Sequence, residues 1–530
     1  MPTRAATRAT KATKPAATER ALKAAATRAA NTAAKTQPAA PASRKRKAQD
    51  QDDAETKTNG AGAENKTKAT NLARVTKTPR INIGKKINEA PTQILDIYVF
   101  GEGSSGELGL GSKRVNGKKP MDVKRPRLND NLSAKSVGVV QVSCGGMHAV
   151  ALTHDNQILT WGVNDQGALG RDTTWEGNLV EADAEGDTVM DVDHDEDDTG
   201  INPRESIPSA ISSDSFVPGT VFVQVVASDS ATFALTEDGR VYGWGTFRSS
   251  DGVLGFDQSI KIQNTPILLP TLKNIKRLAA GANHILALDH RGSVVAWGCG
   301  QQNQLGRRII ERNKLSSLTP QGVGLPRGKI VKIACGSYHS FALDTTGNVW
   351  GWGLNNFGEL GVMTNAGEDG AVILKPVKVA GLSDHHIVDI DGGVHHSLAC
   401  SKEGKVLTWG RLDGYQVGFE FDQVDSSCIM HDSRGDPRIL AIPCVLDIQN
   451  IASVAAGSDN SFAVTNDGKV YSWGFSANFQ TGQGTFEDIH TPTLIDNTAI
   501  RGKQIITAHA GGQFSMLTSV AHDSPATNGA

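Results

Sequence analysis

The run Val142-Ser143-Cys144-Gly145-Gly146-Met147-His148-Ala149-Val150-Ala151-Leu152 is the stretch from which the fold can be read. It leads through a turn at Asp155-Asn156 into Ile158-Leu159-Thr160-Trp161-Gly162 and then Gly167-Ala168-Leu169-Gly170. The same order returns as Gly281-Ala282-Asn283-His284 with Trp297-Gly298 and Leu305-Gly306, and as Gly336-Ser337-Tyr338-His339 with Trp352-Gly353 and Leu360-Gly361. Further copies centre on Trp244, Trp409 and Trp473, and Phe100-Gly101 opens the series with Phe in the Trp place. Short apolar strands are divided by glycine turns such as Glu237-Asp238-Gly239 and Asp467-Gly468, the pattern of antiparallel hairpins. A unit of about four short strands cannot bury both of its faces alone, whereas radial stacking of such sheets can, leaving only short edges.

The chain ends carry complementary halves of a unit. Gly511-Gly512-Gln513-Phe514-Ser515-Met516-Leu517 is a first half without its second, and Tyr98-Val99-Phe100-Gly101 is a second half without its first. Joined, they complete one blade. The expectation is an all-β, closed seven-bladed β-propeller over 94–520.

The formal charge of −2 hides an asymmetry. Residues 1–90 hold 20 Lys and Arg against 7 Asp and Glu, a net +13, so the remaining 34 basic and 49 acidic residues sum to −15. A basic arm suits nucleic acid, and an acidic body attracts a basic partner. The arm lacks large apolar residues and is expected to be disordered or transiently helical. Within it Arg44-Lys45-Arg46-Lys47 reads as a nuclear-import signal and phosphate contact, or more blandly as a solvated charge run. A second polar stretch, with 11 acidic and no basic residues from Glu176 to Asp198, suggests a disordered acidic insertion over 173–215, and 521–530 reads as a short flexible end. Six widely spaced cysteines form no C-x-x-C pair, which argues against a disulfide framework or zinc site. No apolar run reaches the roughly 18 residues of a membrane span, and no signal-peptide core opens the chain. A soluble protein of a reducing compartment is expected, with no membrane partner.

The G-x-x-H-[ST]-x-A-L and W-G-x-x-x-x-G-x-L-G halves quoted above resemble the repeat of the regulator-of-chromosome-condensation family, over about residues 94–520. Asn164-Asp165-Gln166-Gly167-Ala168-Leu169-Gly170-Arg171-Asp172 looks like the second blade of the family's founding member, and Gly245 through Phe256 looks like its wedge segment. The basic tail ahead of blade 1 is a third match. The resemblance, taken to the fungal branch, implies guanine-nucleotide exchange on the Ran GTPase. It further implies a nuclear, chromatin-bound protein that meets nucleosomal DNA and histones and enters by importin.

On that resemblance Asp229, Asn283 and His395 match the GTPase-facing rim, with Asn283 standing where animal members carry Asp. Together with Tyr338, Asp459 and Gln513 they are read as the residues just before the repeated His, at variable loop ends where function usually sits. Asx-turns or loop caps are the bland account of Asp229 and Asn283. The wedge is Phe247, Arg248, Asp251, Gly252, Val253 and Leu254, an elongated hairpin where other repeats run straight into x-x-x-x-Gly-x-Leu-Gly. Arg308, Arg312 and Lys314, with Arg307, occupy the place of a histone-contacting excursion, though solvated charge explains them too.

The repeated His148, His284, His339 and His396 are read as structural, each held by a bond to neighbouring backbone, since the position becomes Ala231, Asn460 and Phe514 elsewhere. The Trp-Gly pairs are read as interblade core. No Ser–His–Asp arrangement, phosphate-binding loop or H-E-x-x-H motif occurs, so no catalytic residue, metal or cofactor is assigned. Exchange needs none, because a wedge can loosen the GTPase's own hold on its nucleotide. The chief rival is a non-catalytic propeller scaffold for another nuclear partner. A propeller hydrolase is the remoter one.

Overall fold

The computed structural model describes residues 83–176 and 199–521. Within them seven sheets form the blades, and an eighth, two-stranded sheet stands apart as a hairpin. Blade 2 pairs β3 (Val139–Cys144), β4 (His148–Thr153), β5 (Ile158–Gly162) and β6 (Ser209–Ala210) in that order. Blade 3 runs β7 (Phe222–Ala227), β8 (Ala231–Thr236), β9 (Val241–Gly245) and β12 (Gln263–Leu268). Between β9 and β12 the chain makes the extra hairpin, β10 (Phe247–Ser249) with β11 (Gly252–Gly255). Blade 4 begins with β13 (Ile275–Ala280) and β14 (His284–Asp289), and blades 5, 6 and 7 start at Ile330, Ile387 and Ile451.

Blade 1 is shared by the two ends of the propeller. β1 (Leu95–Gly101) lies between β2 (Val123–Leu128) and β31 (Phe514–Val520), with β30 (Ile505–Ala510) innermost. The β1–β31 register runs without a break from Leu95 opposite Val520 to Gly101 opposite Phe514. The two half-repeats thus close the ring by antiparallel pairing, and Ala521 N–H continues it to Ile94 O at 3.1 Å.

Apolar faces of adjacent blades form the core. Trp161, Trp244, Trp352, Trp409 and Trp473 are among the largest fully buried side chains. Their indoles do more than fill space. Trp244 donates to Ala168 O at 2.8 Å, Trp352 to Gln304 O at 2.8 Å, Trp409 to Glu359 O at 2.7 Å and Trp473 to Gln416 O at 3.0 Å. Each acceptor sits two residues before the glycine that closes the corresponding loop of the preceding blade, Gly170, Gly306, Gly361 or Gly418. The glycine closing that loop gives the ring its room: at Gly170, with φ +66°, a Cβ would lie 2.8 Å from Trp244 Nε1.

The repeated histidines differ from expectation. They reach not backbone but the hydroxyl of the next blade: His148 to Thr232 at 2.8 Å, His284 to Ser340 at 2.8 Å, His339 to Ser397 at 2.9 Å and His396 to Ser461 at 2.9 Å. Those hydroxyls donate in turn to the carbonyls that the tryptophans use. With the hydroxyl proton so spent, Nε2 must carry the donor hydrogen. A four-residue relay of His, Ser or Thr, carbonyl and Trp therefore locks each such seam. The glycine of G-x-x-H follows from this, since a Cβ at Gly145 would meet the His148 ring at 2.7 Å. Burial holds His148 down to about 4 and His284 and His396 down to about 3, so all three are neutral at pH 7.

Parts of the expected domain plan fall outside the described residues: 1–82 including Arg44, Lys45, Arg46 and Lys47, the acidic run 177–198, and 522–530. Two described stretches correct its boundaries. Residues 83–90, assigned to the disordered tail, dock on blade 3, with Gly84 N–H donating to Asp238 Oδ2 at 2.7 Å and Ile87 N–H to Glu237 O at 2.8 Å. Residues 199–215, assigned to the disordered insertion, include helix α1 (Pro203–Ser206), capped by Asn202, and β6, the outer strand of blade 2. Their compact turns and caps carry too little apolar signal to be read from composition.

Candidate functional site

Four of the seven seams between blades carry the histidine relay, and the seam between blades 3 and 4 is one that does not. Between blades 3 and 4 the His place is Ala231 and the hydroxyl place is Ile285, so no relay can form. Aromatic packing takes over: Phe233 stacks on Phe247 with centroids 5.9 Å apart and meets Trp297 edge-on at 5.6 Å. Phe256 adds a third ring at 6.3 Å from Phe233. Phe247 is the first residue of β10, so the hairpin is rooted in a seam that lacks the polar relay.

From this root the hairpin reaches the face on which the G-x-x-H loops lie. Phe247 and Leu254 are buried, so two of the six expected wedge residues anchor rather than contact. Arg248, Asp251 and Val253 are exposed, and Gly252 with φ +102° makes the return. Three braces hold the tip. Asn283 Oδ1 accepts from Arg248 N–H at 2.7 Å. Gln301 accepts from Ser250 N–H at 2.9 Å and donates to Ser250 Oγ at 2.8 Å. Lys314 Nζ donates to Asp251 Oδ2 at 2.5 Å.

These braces revise the reading of the loop after blade 4. Lys314, expected to meet histones, is paired with Asp251 of the hairpin and with Glu311 at 3.2 Å. Arg307 is internal, donating to the carbonyls of Ala296, Ser317 and Thr319. Arg308 and Arg312 are exposed.

Beside the hairpin stands Asp229. Strand register puts Ala231 opposite Gly245 as His284 is opposite Gly298, so Ser230, not Asp229, precedes the His position. Asp229 sits one place earlier and lines the central cavity. There its N–H donates to Ala282 O at 2.9 Å, and its carboxylate receives Asn283 Nδ2 at 3.4 Å. The side chain keeps contact with water, but the crowding of surrounding blades pushes it from 3.8 up to about 6, against the lowering influence of Arg248 and Asn283. Tyr338, Asn283, Arg248 and Asp229 share the mouth of a central cavity of about 1090 Å³.

His395 belongs to a separate cluster on blades 5 and 6. Its Nδ1 meets buried Glu359 Oε1 at 2.9 Å, and its ring lies 4.6 Å from that of Phe357. Arg411 and Arg438 lie over the same Phe357 ring at 5.2 and 4.9 Å, a cation–π arrangement that sequence reading missed because its members come from three distant segments.

On the inner strand of blade 6, acidic groups are tied to structure. Asp391 accepts from Ala456 N–H at 2.9 Å and Asp389 from Val454 N–H at 3.2 Å. Gln141, Ser143 and Gln224 tie other inner strands to their neighbours in the same way. Among the described residues no group of three His, Cys, Asp or Glu side chains could hold a metal ion.

Comparison with known proteins places this architecture. Residues 96–517 match the RCC1-like domain. The guanine nucleotide exchange factor SRM1 of Saccharomyces cerevisiae is 43% identical over 437 residues, covering 81% of this chain and 88% of that protein. A crystal structure of Prp20p from Saccharomyces cerevisiae, described with its binding to Gsp1p and histones, superposes with a TM-score of 0.72 at 41% identity and covers 81% of this chain and 93% of that one. Yeast RCC1 (Prp20) bound to Kap60 gives a TM-score of 0.72 at 39% identity, covering 86% and 97%.

Proposed function

This chain belongs to the RCC1-like domain family, and from that premise we propose that it is a guanine-nucleotide exchange factor for the Ran GTPase, acting on chromatin in the nucleus. The observation that carries the reading is the braced hairpin Phe247–Gly255 beside Asp229 and Asn283. A scaffold that only gathers partners has no need of a projecting element fixed at three points.

The chemistry asked of the chain is non-covalent. A GTPase holds its nucleotide through backbone donors, a lysine and Mg²⁺. The exposed Arg248, Asp251 and Val253 would press on the loops around those groups, and contacts along the rim through Asp229, Asn283 and His395 would offset the disruption. Preorganisation matters here, because a hairpin already ordered loses little entropy on binding. By linkage, whatever factor by which the chain loosens nucleotide is the factor by which nucleotide expels the chain. The direction of exchange then follows the more abundant nucleotide.

Counterparts of Gsp1p, histones and Kap60 are the partners we assign, in agreement with the Ran, nucleosome and importin partners implied by the sequence resemblance. The basic tail with Arg44, Lys45, Arg46 and Lys47 serves import and DNA phosphates, and exposed Arg308 and Arg312 are left for histones. The test is complex formation with Ran stripped of nucleotide. A stable complex on gel filtration that excess GDP or GTP dissociates equally supports the reading, and a complex indifferent to nucleotide points to the scaffold.

A further inference from the structure

The seam that carries the hairpin has an unusual tie at its other end. Asn88, in the segment preceding the propeller, is 8% exposed. Its Nδ2 donates to Ile275 O at 2.8 Å and to Thr236 O at 3.2 Å. Thr236 closes β8 of blade 3 and Ile275 opens β13 of blade 4, so one amide group bridges both blades. The backbone N–H groups of Ile87 and Asn88 both donate to Glu237 O, at 2.8 and 2.9 Å, which fixes the bridge in place.

A side-chain bridge of the same kind joins blades 2 and 3. There the bridge comes from the β4–β5 turn itself: Asn156 Nδ2 donates to Thr220 O at 2.8 Å, and its Oδ1 accepts from Phe222 N–H at 2.7 Å. The corresponding turn residue is glycine in blades 3 to 7, so at Gly239 of blade 3 the turn itself has no side chain to offer. A Cβ there would lie 2.6 Å from Ile87 Cδ1 and 2.9 Å from the Ile275 backbone nitrogen. The space is taken by the strap.

We propose that Asn88 is a positioning residue for nucleotide exchange: bridging blades 3 and 4 at their far ends, it sets the angle of the relay-less seam from which the hairpin 247–255 projects. The inference rests on the reading of that hairpin as the wedge. The physical route is short. β8 and β13 run from the Asn88 bridge at one end to Asp229 and the Asn283 loop at the other. Between the two ends the seam is held by the aromatic stack and by Gln224, whose side chain exchanges two 2.9 Å bonds with Leu278. Aromatic packing fixes separation better than angle, because rings slide where directional hydrogen bonds do not.

The experiment compares full-length Asn88→Ala and Asn88→Asp with Asn156→Gly, which removes the equivalent bridge one seam away while suiting the positive φ of that turn. Two readouts are taken: hydrogen–deuterium exchange of residues 247–255 in the free protein, and exchange kinetics on Ran over a range of Ran concentrations. Asn88→Ala should speed deuterium uptake in the hairpin and lower the maximal rate about threefold or more with half-saturation nearly unchanged. Asn88→Asp, which cannot donate to two carbonyls, should do both more strongly. Asn156→Gly should lower the melting temperature without either effect. If Asn88→Ala moves only the melting temperature, or Asn156→Gly matches it in both readouts, the proposal is wrong. Should the intact protein release no nucleotide, the exchange reading fails, and deuterium uptake alone still decides whether Asn88 positions the hairpin.

Discussion

Asn283 accepts the backbone N–H of Arg248 at 2.7 Å, so a loop of blade 4 steadies the hairpin that grows from blade 3. The same side chain turns its Nδ2 toward Asp229 at 3.4 Å. Asn283→Ala should lower exchange by about three- to tenfold, chiefly in the maximal rate. Asn283→Asp keeps the acceptor for Arg248 and should retain most of the rate at high pH. It sets a second carboxylate against Asp229, however, and like charges raise each other's pKa. The acid limb of its pH–rate profile should move to higher pH.

Asp229 links pH to stability and, on the proposed reading of the rim, is expected to link it to exchange as well. Its carboxyl rises from 3.8 to about 6 on folding, so between those values the folded state holds a proton that the unfolded state has released. Stability from this group is therefore lost as pH rises through that window. Asp229→Asn should melt at a higher temperature than the intact protein above pH 6, by a modest margin because the side chain keeps some water. It should also exchange more slowly, if the ionised form is the one that meets the GTPase. Melting curves at pH 5 and 7.5 beside exchange rates separate the two effects.

The interblade relays make the opposite linkage. His148, His284 and His396 fall from 6.5 to about 4, 3 and 3, so the stability they contribute is complete above 6.5 and is lost as pH falls toward those values. Ser340→Ala strips the His284 Nε2–H of its acceptor, and Gln304 O keeps only Trp352. A loss of about 1–3 kcal/mol is expected at neutral pH, read from denaturant unfolding. Ran exchange by the folded variant should stay close to that of the intact protein.

The Lys314–Asp251 pair ties to the hairpin a loop that family likeness would give to histones. Lys314→Ala should slow exchange about two- to threefold, more at low salt than at high, since exposed ion pairs are weak and screened. Nucleosome affinity should be unchanged. Arg308→Ala with Arg312→Ala should show the reverse: weaker nucleosome binding, with a shallower salt dependence, and normal exchange.

The propeller was legible because its repeat states each structural rule several times, and because Phe514 and Phe100 supply the halves of one blade. The role of the hydroxyl one place after the His position of the following blade was not legible. Ser340 and Thr232 stand in the motif, but only the ring geometry shows that they join two blades. Asp229 was placed one position late for a related reason: with Ala231 in the His place, nothing in blade 3 marks the register. The strap at Asn88 was hidden altogether, since a lone buried Asn in a polar segment carries no periodic signal. Blade 3 puts Ala231 in the His place, and the hairpin stands on the seam that this leaves without a relay.

The most direct measurement follows release of a fluorescent GDP analogue from Ran with catalytic amounts of the full-length protein, beside Asp229→Ala and a variant lacking Phe247–Phe256. Fast release by the intact protein, strongly impaired in both variants while each remains folded, is the expected result. No acceleration by the intact protein, or full activity without the hairpin, would contradict the account.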